Sequence, residues 1–227
     1  MSGYIIIGIV ATLVSTLVRN RMMSTMKKLS QVGTRSGLSG KEIAEKMLAD
    51  NGIHDVQVLP AKGMLTDHYN PGNRTVNLSE AVFHERSVTA AAVAAHEVGH
   101  AVQHATAYPM LQFRSGIVPI VSISNRLSPL LIMGGLFLGA LGSISQQILL
   151  AGIGLFAVST LFSFITLPVE LDASKRALAW IESSGVSSGE EKELAEKGLR
   201  WAAMTYVVAA LTSLAYLLYY LQFLNRR

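Results

Sequence analysis

The chain has 227 residues, of which 50% are hydrophobic and only 15% carry a charge. Soluble domains contain about 25% charged residues, so this composition disfavours an ordinary soluble domain and favours several membrane segments. The net charge of +4 does not require a nucleic-acid partner, because positively charged cytoplasmic loops and anionic lipid account for it. The absence of cysteine excludes disulfides, thiolate ligands and a cysteine nucleophile, so any metal site must use His and carboxylate ligands.

Four apolar segments are candidates for membrane helices, since a span needs about 20 residues. They run from Tyr4 to Val18, from Ile117 to Leu141, from Ile148 to Val169 and from about Ala202 to Leu224. Positive charge follows the first segment instead of preceding it, which disfavours a cleaved signal peptide and predicts a retained anchor. We expect an uncharged turn at residues 142–147, and we expect Pro168 to end the third span.

The distribution of Lys and Arg predicts the orientation in the membrane. Eleven of the nineteen lie between Arg19 and Arg114, and five more lie between Lys175 and Arg200. Short cytoplasmic loops carry the positive excess, so both hydrophilic regions are expected in the cytoplasm, although Arg226 and Arg227 would then end outside. The chain is predicted to be a multi-pass protein of the inner (plasma) membrane.

The predicted organisation has five parts: an N-terminal transmembrane anchor at 1–19, a hydrophilic region at 20–116, two transmembrane helices at 117–169, a helical region at 170–201 and a C-terminal transmembrane helix at 202–227. In the hydrophilic region, Ser39 and Glu42 form a capping box for a short amphipathic helix. The segments DVQVLP, GMLTDHY and RTVNLSE predict a short antiparallel sheet, and residues 88–107 predict an alanine-rich helix. The expected class is an α+β membrane protein, mainly α.

The alanine-rich helix carries HEVGH, with His96, Glu97 and His100. Positions four apart lie on one face of a helix, so the two imidazoles can bind one ion while Glu97 stands beside it. Zinc held in this way activates a water molecule, and Glu97 would serve as the general base. HExxH also arises by chance, but its position in mid-helix, with small neighbours, favours a zincin-like metal site.

A third ligand is needed, and two positions compete for this role. His104 extends the same helix face, but three turns of one straight helix cannot converge on one ion. Glu170 lies at the end of the third span and could meet the histidine pair, although an acid there could also serve only the dipole of a new helix. Asp172 could orient an imidazole.

Other polar and small residues leave alternatives open. His68 and Tyr69 could donate hydrogen bonds to an oxyanion, but a turn with Asp67 and Asn70 uses such residues without any catalysis. The strand from Arg74 to Ser79 could be an exposed edge that pairs with an extended peptide, or it could pair within the sheet. The glycine pairs Gly134–Gly135 and Gly152–Gly154 could permit close helix contact within one chain or between chains.

The chain resembles the YugP-like neutral zinc metallopeptidases, a family of small bacterial membrane proteins, over nearly its whole length. The similarity lies in HEVGHAVQH, preceded by NLSEAVFHERSVTAAAVAA and followed by LPVELDASKRAL. A looser similarity to HtpX-type membrane proteases rests on a glutamate that follows a membrane helix. The resemblance implies that zinc is held by His96, His100 and Glu170, with Glu97 as the general base.

These observations favour an integral membrane zinc metalloendopeptidase whose active site faces the cytoplasm and which acts on membrane-associated or misfolded proteins. Its expected partners are a protein or peptide substrate, the lipid bilayer, and an accessory subunit or a second copy. One alternative is an intramembrane protease with His96 inside the bilayer. The charged residues Glu85 and Arg86, which come directly before the apolar stretch that contains His96, argue against it. Another is a metal-binding scaffold or adaptor, whose site would be closed by a fourth protein ligand.

Overall fold

A computed structural model describes residues 2–138, 142–187 and 189–224. The elements are α1 (Ser2–Leu29), α2 (Gly40–Asp50), β1 (Gln57–Ala61), β2 (His68–Asn70), β3 (Thr75–Ser79), α3 (Glu80–His84), α4 (Val88–Ala105), α5 (Pro109–Phe137), α6 (Ser143–Ser183) and α7 (Gly189–Leu224). The mainly helical class with one small sheet is confirmed. The end of the second predicted span, at 139–141, and the two terminal arginines lie outside the described residues.

The sheet has the order β1-β3-β2 and is mixed, so the expectation of an antiparallel sheet was wrong. β3 pairs in parallel with β1 and antiparallel with β2. The reason is that β1 and β2 are not neighbours: the connection between them leaves a gap one strand wide. After the turn at 71–74, β3 fills this gap and pairs with both. β3 is therefore a central strand: of the two alternatives left open for Arg74 to Ser79, pairing within the sheet is present, and the outer strands of the sheet are β1 and β2.

The chain divides into two compact units, and the hydrophilic unit contains Val18–Leu111 and Val169–Met204. Its core is formed by side chains from the sheet and from α2, α4 and α6, among them Ile43, Met47, Val76, Leu78, Val98 and Ile181. Six alanines of α4, between Ala90 and Ala101, are buried in this core. Because protein surrounds them, the apolar character of α4 needs no lipid, and α4 is not among the four described helices that could span a membrane.

The predicted capping box at the start of α2 is confirmed. The Ser39 backbone N–H donates to Glu42 Oε2 at 2.7 Å, and the Glu42 N–H donates to Ser39 Oγ at 3.3 Å. The backbone hydrogen bond from Ser39, followed by the hydroxyl of the same residue, lowers the pKa of Glu42 below its ordinary value of 4.5. Arg86 lies 3.1 Å from Glu42 Oε2 and favours the ionised carboxylate further.

The apolar unit contains the chain up to Leu17, Gln112–Pro168 and the chain from Thr205 onward. Within the described residues, four helices are long and apolar enough to cross a membrane: Gly3–Leu29, Pro109–Phe137, Ser143–Ser183 and Gly189–Leu224. Two expectations were wrong here. The turn expected at 142–147 is already helical from Ser143, and Pro168 does not end the span, because α6 continues through it without a break. Proline removes one helix hydrogen bond, but the regular bonds on either side maintain the helix, as is common in membrane segments.

Close packing of α5 on α6 within the apolar unit depends on two glycines. A Cβ atom at Gly135 would lie 2.6 Å from Leu149 Cβ, and one at Gly152 would lie 2.8 Å from the backbone nitrogen of Ile132. The Ser128 hydroxyl donates to the Gly152 carbonyl at 3.0 Å. Of the two alternatives that the glycine pairs left open, the contact within one chain is therefore present, and it uses one glycine of each pair.

Candidate metal centre

Two helices of the hydrophilic unit bring the predicted metal ligands together. α4 carries His96 and His100 one turn apart, and their ring centroids are separated by 4.9 Å. α6 carries Glu170, of which only 4% is exposed. Since α6 continues through Pro168, Glu170 lies in the middle of a helix and not in the first turn of a new one. The reading of this acid as a simple partner of a helix dipole was therefore wrong.

The donor atoms of these three residues face one point. Glu170 Oε2 lies 3.4 Å from His96 Nε2 and 3.6 Å from His100 Nε2. One ligand atom from each residue lies within 4.8 Å of the others. Two imidazole nitrogens and one carboxylate oxygen form a donor set that zinc uses in catalytic sites, so the residues present fit a zinc ion.

The other ring nitrogen of each histidine is also engaged. His96 Nδ1 lies 3.1 Å from Ser174 Oγ, and His100 Nδ1 lies 3.0 Å from Gln103 Oε1. The amide oxygen of Gln103 can only accept, so His100 Nδ1 donates to it and the Nε2 lone pair is left for a metal. Such outer hydrogen bonds fix the orientation of imidazole ligands.

Gln103 connects α4 to α6 from a fully buried position. Its Nε2 group donates to the Val169 carbonyl at 2.8 Å and to Asp172 Oδ2 at 2.9 Å. Asp172 in turn accepts a bond from Arg176 Nε at 2.5 Å. Asp172 therefore acts on an imidazole only through Gln103, and not directly as the sequence suggested.

Sequence reasoning missed Gln103 and Ser174. Gln103 follows His100 by three residues and Ser174 follows Glu170 by four, so each shares a helix face with a candidate ligand. The spacing could have pointed to Gln103, since a buried amide on the ligand face needs a partner. Ser174 was harder to find, because nothing in the sequence shows which residue of α6 lies opposite His96.

Electrostatics at the centre favour a cation. Burial, the largest effect on His100, lowers its pKa, but the hydrogen bond to Glu170 and the negative charges of Glu97 and Glu170 outweigh burial and raise the pKa. The site thus stabilises positive charge on an imidazole despite being shielded from water. This is the environment that a divalent cation needs.

Glu97 is mostly buried, with 9% of its surface exposed, and is held by β2. The backbone N–H of Tyr69 donates to Glu97 Oε2 at 3.0 Å. The Tyr69 hydroxyl lies 2.7 Å from His104 Nδ1, so His104 is bonded to Tyr69 and is not part of the three-residue group. His68 is exposed, and its Nδ1 lies 2.7 Å from the Thr66 carbonyl oxygen.

The fold and the donor set define a membrane protein with a zinc-type site built on a helix pair. The family model described as "Putative neutral zinc metallopeptidase" matches residues 4–225, and the chain belongs to this family. It is 44% identical over 225 residues to the "Putative membrane protease YugP" of Bacillus subtilis (strain 168), covering 99% of this chain and 98% of that protein. The resemblance noted from the sequence is confirmed. No solved structure matches the chain.

Proposed function

We propose that the protein is an integral membrane zinc metalloendopeptidase in which His96, His100 and Glu170 hold the zinc ion. The observation that carries this proposal is the convergence of two Nε2 atoms and one carboxylate oxygen within 4.8 Å of one another. The hydrogen bonds at both Nδ1 atoms support it, because they leave the facing nitrogens free to coordinate.

The roles of the chain's own residues follow from their positions. When bound, zinc lowers the pKa of a water molecule toward about 7 and polarises the scissile carbonyl. Glu97 takes a proton from the attacking water and delivers it to the departing amine. The Tyr69 backbone N–H holds the Glu97 carboxylate at 3.0 Å and so restricts its orientation before a substrate arrives.

Coordination by three protein residues favours an enzyme over a metal-binding scaffold. A structural zinc site is closed by four protein ligands, whereas a catalytic site keeps a position for water or substrate. Within the part of the chain that the structure describes, no fourth His, Asp or Glu joins the group. The position of His104, bonded to Tyr69, supports the open arrangement.

Strand β2 offers a place for an extended substrate. Among the described strands β2 pairs only with β3, and its Tyr69 N–H is directed at Glu97. An extended peptide laid along this edge would bring its backbone to the general base. Folded proteins rarely offer a free extended segment, so we infer that the substrates are misfolded or locally unfolded proteins, including membrane-associated ones.

Proteolysis can be tested with protein purified in detergent and unfolded casein as substrate. Wild type should cleave casein with zinc and lose the activity with 1,10-phenanthroline, and Glu97→Gln should reduce the rate by about 10²- to 10⁴-fold while zinc content is retained. Glu80→Gln, an exposed acid paired with His84, is the matched control. Equal cleavage by Glu97→Gln and wild type would reject the proposal and favour a scaffold.

The orientation is proposed from charge alone: both hydrophilic regions face the cytoplasm of a bacterial cell. Because the chain has no cysteine, single cysteines can be labelled selectively. In intact spheroplasts an impermeant maleimide should label Ser143→Cys and spare Ser183→Cys, both at exposed positions. The opposite pattern would reverse the orientation. An accessory subunit or a second copy, if present, would co-purify in a mild detergent.

A further inference from the structure

Tyr69 contacts α4 at two separate points. Its backbone N–H donates to Glu97 Oε2 at 3.0 Å, and its hydroxyl oxygen lies 2.7 Å from His104 Nδ1. The side chain is half-buried, whereas His104 is exposed. One residue of the edge strand thus bonds both the proposed general base and a histidine that the metal group does not use.

These two points fix where the phenol ring lies along α4. Glu97, His100 and His104 stand at positions i, i+3 and i+7, which share one face of a helix. Seven residues of helix rise about 10.5 Å, and His100 lies between the two ends. The hydroxyl of Tyr69 is therefore held at His104, one turn beyond His100 on the helix face that carries the metal ligands.

Peptide hydrolysis is accelerated by a hydrogen-bond donor beside the reacting carbonyl. When water adds to the carbonyl carbon, the π electron pair moves onto the carbonyl oxygen, and Glu97 takes the proton from water. The pair returns when the C–N bond breaks and the proton passes from Glu97 to the amine. Between these steps the oxygen carries negative charge, and a fixed hydrogen-bond donor stabilises it.

We propose that the Tyr69 hydroxyl is this donor and that His104 is the positioning residue that holds it, an inference that rests on the proposed function. A phenol oxygen has one hydrogen to donate and two acceptor sites. With its Nδ1 protonated, His104 donates to the phenol oxygen and leaves the phenol hydrogen free for the substrate. Burial raises the pKa of Tyr69 above its ordinary value, so the hydroxyl keeps that hydrogen at neutral pH.

A purely structural role would have a different signature. If the Tyr69–His104 bond only attached β2 to α4, its removal would affect thermal stability and leave the reaction unchanged. The loss of one partly exposed hydrogen bond changes stability only a little. Loss of an oxyanion donor, in contrast, lowers kcat by about 10²- to 10³-fold. Kinetics and stability therefore separate the two roles.

The first experiment compares Tyr69→Phe with Tyr108→Phe, which removes a hydroxyl from the other tyrosine of the hydrophilic unit. Tyr69→Phe should lower kcat on casein by about 10²- to 10³-fold with unchanged zinc content and little change in KM. His104→Ala should show a smaller loss, and His104→Asn, whose amide nitrogen replaces Nδ1, should restore much of it. A Tyr69→Phe variant within about twofold of wild type in kcat would overturn the assignment.

A second readout does not depend on turnover. A phosphinic tetrapeptide amide with phenylalanine and leucine flanking the phosphinate mimics the charged tetrahedral oxygen, and calorimetry gives its affinity. Tyr69→Phe should weaken its binding by about tenfold or more, while Tyr108→Phe binds it as wild type does. Equal affinity for Tyr69→Phe and wild type would overturn the role of Tyr69. Failure of the proposed function would appear separately, as full activity in Glu97→Gln.

Discussion

Gly99 lies directly against the backbone of Ala173: a Cβ atom at position 99 would come within 2.6 Å of the Ala173 carbonyl oxygen. Such a contact is shorter than van der Waals packing permits, so only glycine allows this approach. Gly99 belongs to the HEVGH motif, and Ala173 follows Glu170 by three residues on α6. The glycine therefore sets the distance at which the carboxylate meets the two imidazoles.

Replacement of Gly99 by alanine should separate the two helices and weaken metal binding. Overpacking of this kind costs about 1–3 kcal/mol of stability, and the displaced carboxylate should reduce zinc affinity by roughly 10- to 100-fold. Chelator competition and thermal unfolding measure the two effects. Gly116→Ala is the control, since nothing lies within 4 Å of a Cβ at that position. Wild-type zinc affinity in Gly99→Ala would show that the close approach does not set the site.

Replacement of Gln103 should affect stability and zinc binding more than replacement of a surface amide. Gln103 is fully buried and forms hydrogen bonds with the candidate ligand His100, with the Val169 carbonyl and with Asp172. Gln103→Leu removes these three hydrogen bonds, and the loss of each should cost about 1 kcal/mol of stability. Zinc affinity should fall by about 10- to 100-fold, as measured by chelator competition. Gln31→Leu, at an exposed position, should leave both quantities unchanged. An unaffected zinc affinity in Gln103→Leu would refute the positioning role.

Local chemistry explains which parts of the site could be predicted from sequence. His96 and His100 are four residues apart on one helix, so helix geometry alone predicts that their side chains lie on the same face. The same holds for the capping box of Ser39 and Glu42, whose partners are three residues apart. Glu170 could be chosen only as a nearby acid on another element, and the structure supports that choice through the contact at Gly99.

Long-range arrangement explains the errors. The strand segments can be predicted from the sequence, but their order depends on where the connection at 62–67 crosses, which no local pattern encodes, so the antiparallel sheet was wrong and the place of β3 was left open. Pro168 was read as a helix end from its local propensity, but the surrounding helix overrides one missing hydrogen bond. Ser174 was missed because its role depends on the packing of α6 against His96.

Glu42 makes the stability of the hydrophilic unit dependent on pH. Its pKa in the folded protein lies below 4.5, mainly because the Ser39 backbone donates to the carboxylate. The resulting stabilisation is fully present above pH 4.5 and is lost as pH falls through the lowered pKa. Glu42→Gln should therefore lower Tm at pH 7, and its difference from wild type should shrink as the solution is acidified below pH 4.5.

The matched control for this pH dependence is Glu45→Gln. Glu45 lies on the same helix and pairs with Lys41 at 3.6 Å across the exposed surface. Exposed pairs of this kind contribute little to stability, so Glu45→Gln should follow wild type at each pH. A Tm difference between Glu42→Gln and wild type that stays constant from pH 7 to pH 3 would contradict the assigned role of the carboxylate.

The most direct test of the account is the zinc stoichiometry and affinity of Glu170→Gln beside wild type. The amide keeps the shape of the side chain but removes its charge, and Glu182→Gln, an exposed acid on the same helix, is the control. We predict about one zinc per chain in wild type and in Glu182→Gln. In Glu170→Gln, affinity should fall by more than the roughly 10- to 100-fold caused by losing an outer hydrogen bond. Wild-type zinc affinity in Glu170→Gln would contradict a site built from two helices.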